Sequence, residues 1–205
     1  MNLMKIANPL LKYLFVLVCM GCTSLGFSQG QWEVDMVRNI NPTNPDNPIW
    51  KGFSSTAQPI AVAVPLGILA VSLIKENKKG KFNAFEVTAS LAIASIATES
   101  IKLIVNRPRP YETYTDIYPN EIDNGNSYPS GHTSIVFTTA TSLTLISKKW
   151  YIAVPAFAWA TGVGYSRIYL GQHYPSDVIM GTLVGAGSAF ASHWLRKKIF
   201  EKKKK

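Results

Sequence analysis

The sequence predicts an all-α fold, a bundle of five main helices after an N-terminal signal segment, expected to span a membrane. Three observations predict it. Five apolar segments, each too long for a typical strand, succeed one another after a polar stretch. Their Gly, Ala, Ser and Thr content suits close helix packing in lipid. Thirteen of the 21 Lys and Arg fall in turns that share one side if every helix crosses.

The elements follow in order. Lys5 and Lys12 precede the apolar run Tyr13 to Cys22, and Gly26 and Ser28 stand at cleavage-site spacing. Residues 1–28 therefore read as a signal peptide; the alternative is an uncleaved first membrane helix. Both cysteines, Cys19 and Cys22, lie in this segment, so a mature chain would carry no disulfide framework. Residues 29–56 are polar and rich in Pro and Asn and read as an exported connector, with one or two amphipathic turns at "WEVDMVRNI". The helical domain is expected over 57–198, with helices near Ala57–Ile74, Ala84–Val105, His132–Ser147, Trp150–Tyr165 and Asp177–Leu195. A basic tail, 199–205, ends the chain.

The charges support this arrangement. "KENKKGKF" carries four lysines, "SKKW" two, and "RKKIFEKKKK" seven basic residues. They occupy alternate connections, the positive-inside pattern of a membrane protein. This accounts for the net charge of +9 without nucleic acid, for which the chain lacks basic patches interleaved with aromatics. A soluble bundle with Lys-rich turns is the other reading of the same pattern.

The opposite connections hold the unusual polar residues. In "KLIVNRPRP", Lys102 ends an apolar helix, and Pro108 and Pro110 stiffen the backbone around Arg109. In "PSGH", the Ser130 hydroxyl and the amides of Gly131 and His132 stand at a helix N-terminus, where orphan N–H groups and the dipole favour an anion. In "SRIYLGQHYPSD", Arg167 leads, Pro175 opens the last helix, and His173 and Asp177 stand four residues apart. An aspartate one turn away can hold an imidazole in one tautomer and stabilise its cation. Lys102, Arg109 and Arg167 are three cations able to converge on one dianion, and arginine suits phosphate. Together these groups supply what phosphoryl transfer without a metal requires: charge neutralisation, a nucleophile and an acid for the leaving oxygen. No cofactor or metal is expected. His193, the third histidine, lies near the basic end of the last helix and reads as structural.

The pattern Lys-x6-Arg-Pro, Pro-Ser-Gly-His, Ser-Arg-x5-His-x3-Asp resembles that of the phosphatidic acid phosphatase type 2 superfamily. Lys102, Arg109 and Pro110 match its first motif, Pro129 to His132 the second, and Ser166, Arg167, His173 and Asp177 the third. The resemblance implies catalytic roles for His173, His132 and Asp177. His173 would attack phosphorus and form a phosphohistidine, Asp177 would orient it, and His132 would protonate the leaving oxygen. Lys102, Arg109, Ser130, Gly131 and Arg167 would bind phosphate. It further implies a phosphatase of lipid phosphates or diphosphates at the outer face of a bacterial inner membrane. The alternatives are a soluble periplasmic acid phosphatase acting on small phosphoesters, a vanadate-dependent haloperoxidase, and a non-catalytic anion-binding membrane protein. Four tyrosines in the loop before the second motif, Tyr111, Tyr114, Tyr118 and Tyr128, either line an entrance or pack the loop.

Attack requires a neutral His173 and leaving-group protonation a charged His132, and both start from about 6.5. A bell-shaped pH–rate profile is therefore expected. A flat profile from pH 5 to 8 would exclude these roles.

Overall fold

The computed structural model describes residues 30–201. The segment expected to be a signal, with Cys19 and Cys22, and the last four lysines of the tail lie outside the described residues. The helices are α1 (Gln31–Ile40), α2 (Pro48–Ile74), α3 (Lys78–Val105), α4 (Pro110–Thr113, a single turn), α5 (Gly131–Ser147), α6 (Trp150–Tyr169) and α7 (Pro175–Arg196). A π-helical turn, Lys197–Glu201, continues α7. No strand occurs among the described residues.

The five expected main helices are α2, α3, α5, α6 and α7; α6 starts at Trp150 as expected, and the other four start earlier than hydropathy indicates. The start of α2 differs most, at Pro48 rather than Ala57. The Asn47 side chain accepts the Ile49 amide, and Pro48 stands at the first helical position, where its missing N–H costs nothing. Polarity hid this turn. The expected connector of 29–56 is thus largely helical, since α1 occupies its first part. There Val34 and Val37 pack against Ile117, Ile168 and Tyr174.

Three helices are long and apolar enough to cross a membrane: Pro48–Ile74, Lys78–Thr113 and Pro175–Ile199. Their outward faces carry exposed apolar side chains, among them Val62 and Leu66 on α2, Ile96 and Leu103 on α3, and Leu183 and Phe190 on α7. A soluble surface rarely tolerates so continuous an apolar belt. The crossing expected of all five helices is met by length and apolarity in these three. The physical reason lies in where α5 sits. It has 17 residues and packs against α2, α3, α6 and α7, so other helices replace lipid around it. Thr133, Ser134, Thr138, Thr139, Thr141 and Ser142 are consequently buried.

Helix α7 lies directly on α5. A Cβ at Gly181 would stand 2.6 Å from the Ser130 carbonyl oxygen, and one at Gly185 would stand 2.3 Å from that of Ser134. These two glycines, four residues apart, form the small-residue seam that lets helix backbones touch. Thr138 Oγ1 donates across it to the Gly185 carbonyl at 3.2 Å.

The three basic segments meet at one end, where Lys79, Lys148, Arg196 and Lys197 line a cavity of about 120 Å³. His193 is held there by Glu86 at 2.6 Å, as its structural reading expects. The three motifs lie at the opposite end. Tyr128 is buried, Tyr111 exchanges hydrogen bonds with the Asp123 backbone, and Tyr114 lies under Arg38. These three tyrosines pack the loop.

The α5–α7 seam yields a stability prediction. Gly185→Ala is expected to cost about 1–3 kcal/mol by overpacking. Gly187→Ala, where a Cβ meets nothing within 4 Å, should cost nothing. Thermal unfolding of both variants in detergent checks the pair.

Candidate active site

Each motif is delivered by the end of a helix. Asn106, in the left-handed conformation with φ 48°, terminates α3 and turns the chain into the Arg107–Arg109 loop. Ser130 caps α5, its Oγ accepting the Thr133 amide at 3.4 Å and the Thr133 hydroxyl at 2.9 Å. Helix α6 ends in a Schellman motif. Gly171 adopts φ 69°, its amide donates to the Ile168 carbonyl, and the Gln172 amide donates to that of Arg167 at 3.0 Å. A Cβ at Gly171 would also stand 2.6 Å from the Tyr118 carbonyl oxygen, so only glycine fits. The reversal places His173 beside the end of α6, its own amide on the Arg167 carbonyl at 3.3 Å. Pro175 then opens α7.

A cavity of about 250 Å³ lies where these ends meet. Lys102, Arg109, Gly131, His132 and His173 line it, with Asp123 at its rim and Gln58, Thr98 and Glu99 on its α2–α3 side. Ser130, Arg167 and Asp177 are buried behind it. All eight predicted site residues are therefore brought together. His132 also borders a second cavity of about 720 Å³, lined by Ser54, Ser55, Asn120 and Glu121.

His173 is 2% exposed. Its Nδ1 faces Asp177 Oδ2 at 3.4 Å and Ser127 Oγ at 3.4 Å, which leaves Nε2 as the nitrogen available for chemistry. Burial lowers its imidazole to about 4, against the opposing hydrogen bond and charge of Asp177, and the Arg167 and Arg109 charges add to the lowering. The group is thus neutral at pH 7, as a nucleophile must be.

The cations are held in different ways. Arg109 Nε donates to the Gly125 carbonyl at 2.7 Å, and its two terminal nitrogens reach Gln172 and, at 2.6 Å, Asp123 Oδ2. Lys102 lies 3.7 Å from Glu99, and a Cβ on Gly131 would stand 3.9 Å from its ammonium. Arg167 is fixed by one donor to Ser54 Oγ at 2.7 Å, while its Nε is buried without a partner. A buried guanidinium with an unused donor is suited to an incoming oxyanion. Among the described residues no group of three His, Cys, Asp or Glu is placed to hold a metal ion.

Sequence reasoning missed five supports. Ser127 Oγ donates a short hydrogen bond to Asp177 Oδ2. Arg107 pairs with Asp177 Oδ1 at 2.7 Å and with Glu33 Oε2 at 2.7 Å. Gln172 accepts from Arg109, and Ser54 accepts from Arg167. Glu33 and Ser54 lie in the segment read as a connector, where nothing signals a site. Arg107 and Ser127 could have been found: each stands within three residues of a motif position.

Fold and site together define a helical membrane-type protein with a histidine- and arginine-lined anion site at one end of its bundle. Residues 83–201 match the PAP2 superfamily, and the chain belongs to it. It is 35% identical over 134 residues to the undecaprenyl-diphosphatase of Sulfolobus acidocaldarius, covering 64% of this chain and 62% of that protein. It thus spans less than two thirds of that relative's length. It is 23% identical over 163 residues to the lipid A 4'-phosphatase of Bacteroides thetaiotaomicron, covering 75% of this chain and 72% of that protein. The crystal structure of Aquifex aeolicus LpxE superposes with a TM-score of 0.65 at 25% identity, covering 82% of this chain and 96% of the other.

The grip on Arg167 is open to test. Ser54→Ala removes its one side-chain acceptor and leaves a second buried donor unpaired, at a cost of about 1–3 kcal/mol. Ser55→Ala, one residue along and exposed, is expected to be neutral. Unfolding midpoints in detergent distinguish the two.

Proposed function

We propose that this protein hydrolyses a phosphate monoester or diphosphate carried by a lipid, without a metal and through a phosphohistidine, at the outer face of a bacterial inner membrane. One observation carries the reading. A buried histidine backed by a carboxylate meets Lys102, Arg109 and a helix N-terminus in one cavity, with a third cation, Arg167, buried behind it, at one end of a bundle whose sides are apolar. Membership of the PAP2 superfamily and lipid phosphatases among the relatives support it.

The chemistry follows from the groups in place. The phosphoryl oxygens are held by Lys102, Arg109, Arg167 and the Ser130–Gly131 helix start. His173 Nε2 attacks phosphorus as the bond to the leaving oxygen breaks, and His132 gives that oxygen a proton. Asp177 stabilises the imidazolium character of His173. Water then attacks the phosphohistidine, His132 takes the proton back, and inorganic phosphate leaves. Burial, with the neighbouring Arg167 and His173, lowers His132 to about 3, so its charged form as proton donor requires the bound phosphate dianion.

The apolar belt favours a lipid over a small soluble ester, because a site at the end of a membrane bundle meets headgroups without drawing the lipid out of the bilayer. The basic segments at the opposite end favour an outward-facing site by the positive-inside rule. Undecaprenyl diphosphate, phosphatidylglycerol phosphate, phosphatidate and lipid A phosphate all present the required group.

The test is phosphate release by purified protein in EDTA, on a lipid phosphate and on a small phosphomonoester, with His173→Ala alongside. Release on lipid that resists EDTA and falls to background in the variant is expected. Activity surviving His173→Ala, or lost with EDTA, would overturn the mechanism, and preference for the small ester would overturn the lipid assignment. The acid limb of kcat/KM should fall near pH 4 rather than near the 6.5 expected from the sequence, because protonation of the buried His173 removes the nucleophile; the acid limb therefore lies below the pH 5–8 window, and its absence from that window does not exclude the role of His173.

A further inference from the structure

Helix α1 lies outside the superfamily match, which begins at residue 83, yet it reaches the site. Its Glu33 is 2% exposed. Glu33 Oε2 accepts from Arg107 NH2 at 2.7 Å, and its other oxygen accepts the Ser176 amide at 3.1 Å, within the first turn of α7. Arg107 NH1 continues to Asp177 Oδ1 at 2.7 Å and to Ser176 Oγ at 2.7 Å. The guanidinium lies 4.0 Å over the Tyr174 ring. Asp177 Oδ2 then faces His173. Four buried groups stand in one line: carboxylate, guanidinium, carboxylate, imidazole.

We propose that Glu33 and Arg107 are positioning residues for His173, with Arg107 fixing the orientation and charge of the Asp177 carboxylate and α1 supplying the counter-charge that lets Arg107 do so. The inference rests on the proposed role of His173 in the chemistry, though not in its test. The charge sequence is what matters. Arg107 alone would offset Asp177 and leave His173 beside a neutral pair. Glu33 returns one negative charge, so a net carboxylate remains for the imidazolium that develops on attack.

The docking of α1 is built to hold this line. Val34 and Val37 are buried against Ile117, Ile168 and Tyr174. The Asn41 side chain donates to the Tyr118 and Tyr169 carbonyls at 2.8 and 2.9 Å and accepts the Tyr118 amide. Nothing else in α1 requires a buried acid, and an unpaired one would be costly.

The test reads His173 directly. The chain has three histidines, so ¹³C-histidine NMR in detergent resolves them, with His173→Ala giving the assignment. The charges bearing on His173 are Asp177, Arg107 and Glu33 through the line, Arg109 from the loop after α3, Arg167 from α6 and His132 from α5. Glu33→Gln removes a negative charge and is expected to lower the His173 titration midpoint. Arg107→Met removes a positive one and is expected to raise it, each on the order of one unit. Loosened packing would instead admit water in both variants and move both midpoints up towards 6.5. Opposite shifts therefore support the line, while shifts in the same direction, or none, overturn it. Glu33→Gln is close to isosteric, so its downward shift is decisive even where Arg107→Met does not fold. In the active enzyme kcat should fall about tenfold in both variants with KM within about twofold, and Arg107→Lys should recover part of it. A wild-type chain without phosphatase activity would count against the proposed function alone, because the NMR midpoints test the line without turnover.

Discussion

The site depends on one buried carboxylate. Asp177 is fully buried, and both of its oxygens are used. Oδ2 accepts the Tyr174 amide at 2.8 Å, which caps α7, and also accepts the Ser127 hydroxyl. Oδ1 pairs with Arg107. Its backbone carbonyl accepts the Ser130 amide at 3.0 Å and so ties the start of α7 to the start of α5. A single residue thus ends a loop, begins a helix, anchors the Ser130–Gly131 turn and backs His173. Such a group is tolerated in the interior because both oxygens have partners; losing one would leave a buried charge uncompensated.

How much of this was legible differs by kind of signal. The five main helices were legible because each is apolar over many turns. The starts of α2 and α3 were not, because first turns such as that after Asn47–Pro48 are polar and read as loop. Crossing by every helix was inferred from the alternation of basic connections, and α5 shows what that misses: a helix ringed by others can be short and full of threonine. The eight motif residues were legible because their spacing is constrained by chemistry. Their supports were legible only in part. Ser54 and Glu33 reach the site from far along the chain, and no local pattern in "WEVDMVRNI" or "KGFSSTA" marks either as buried. Long-range partners of a charge are set by packing, which periodicity does not report.

The cations divide the labour. Arg109 is held on several sides and acts as a fixed wall. Lys102, on a flexible stem beside Glu99, can swing to a ligand. Arg167 combines one anchor with an unused donor. A rigid, a mobile and an under-coordinated cation around one cavity can adjust to an oxyanion in ways that three equally braced arginines could not.

The glycine seam between α5 and α7 has a consequence for a protein that lives in a fluid layer. His132 opens one of these helices and His173 immediately precedes the other, so the spacing of the two histidines is set by main chain resting on main chain. The lipid-facing walls on α2 and α3 are joined to them through side chains. His132 and His173 therefore keep their distance, and in the proposed reaction a change in membrane thickness would act on entry of the substrate before it acted on this pair.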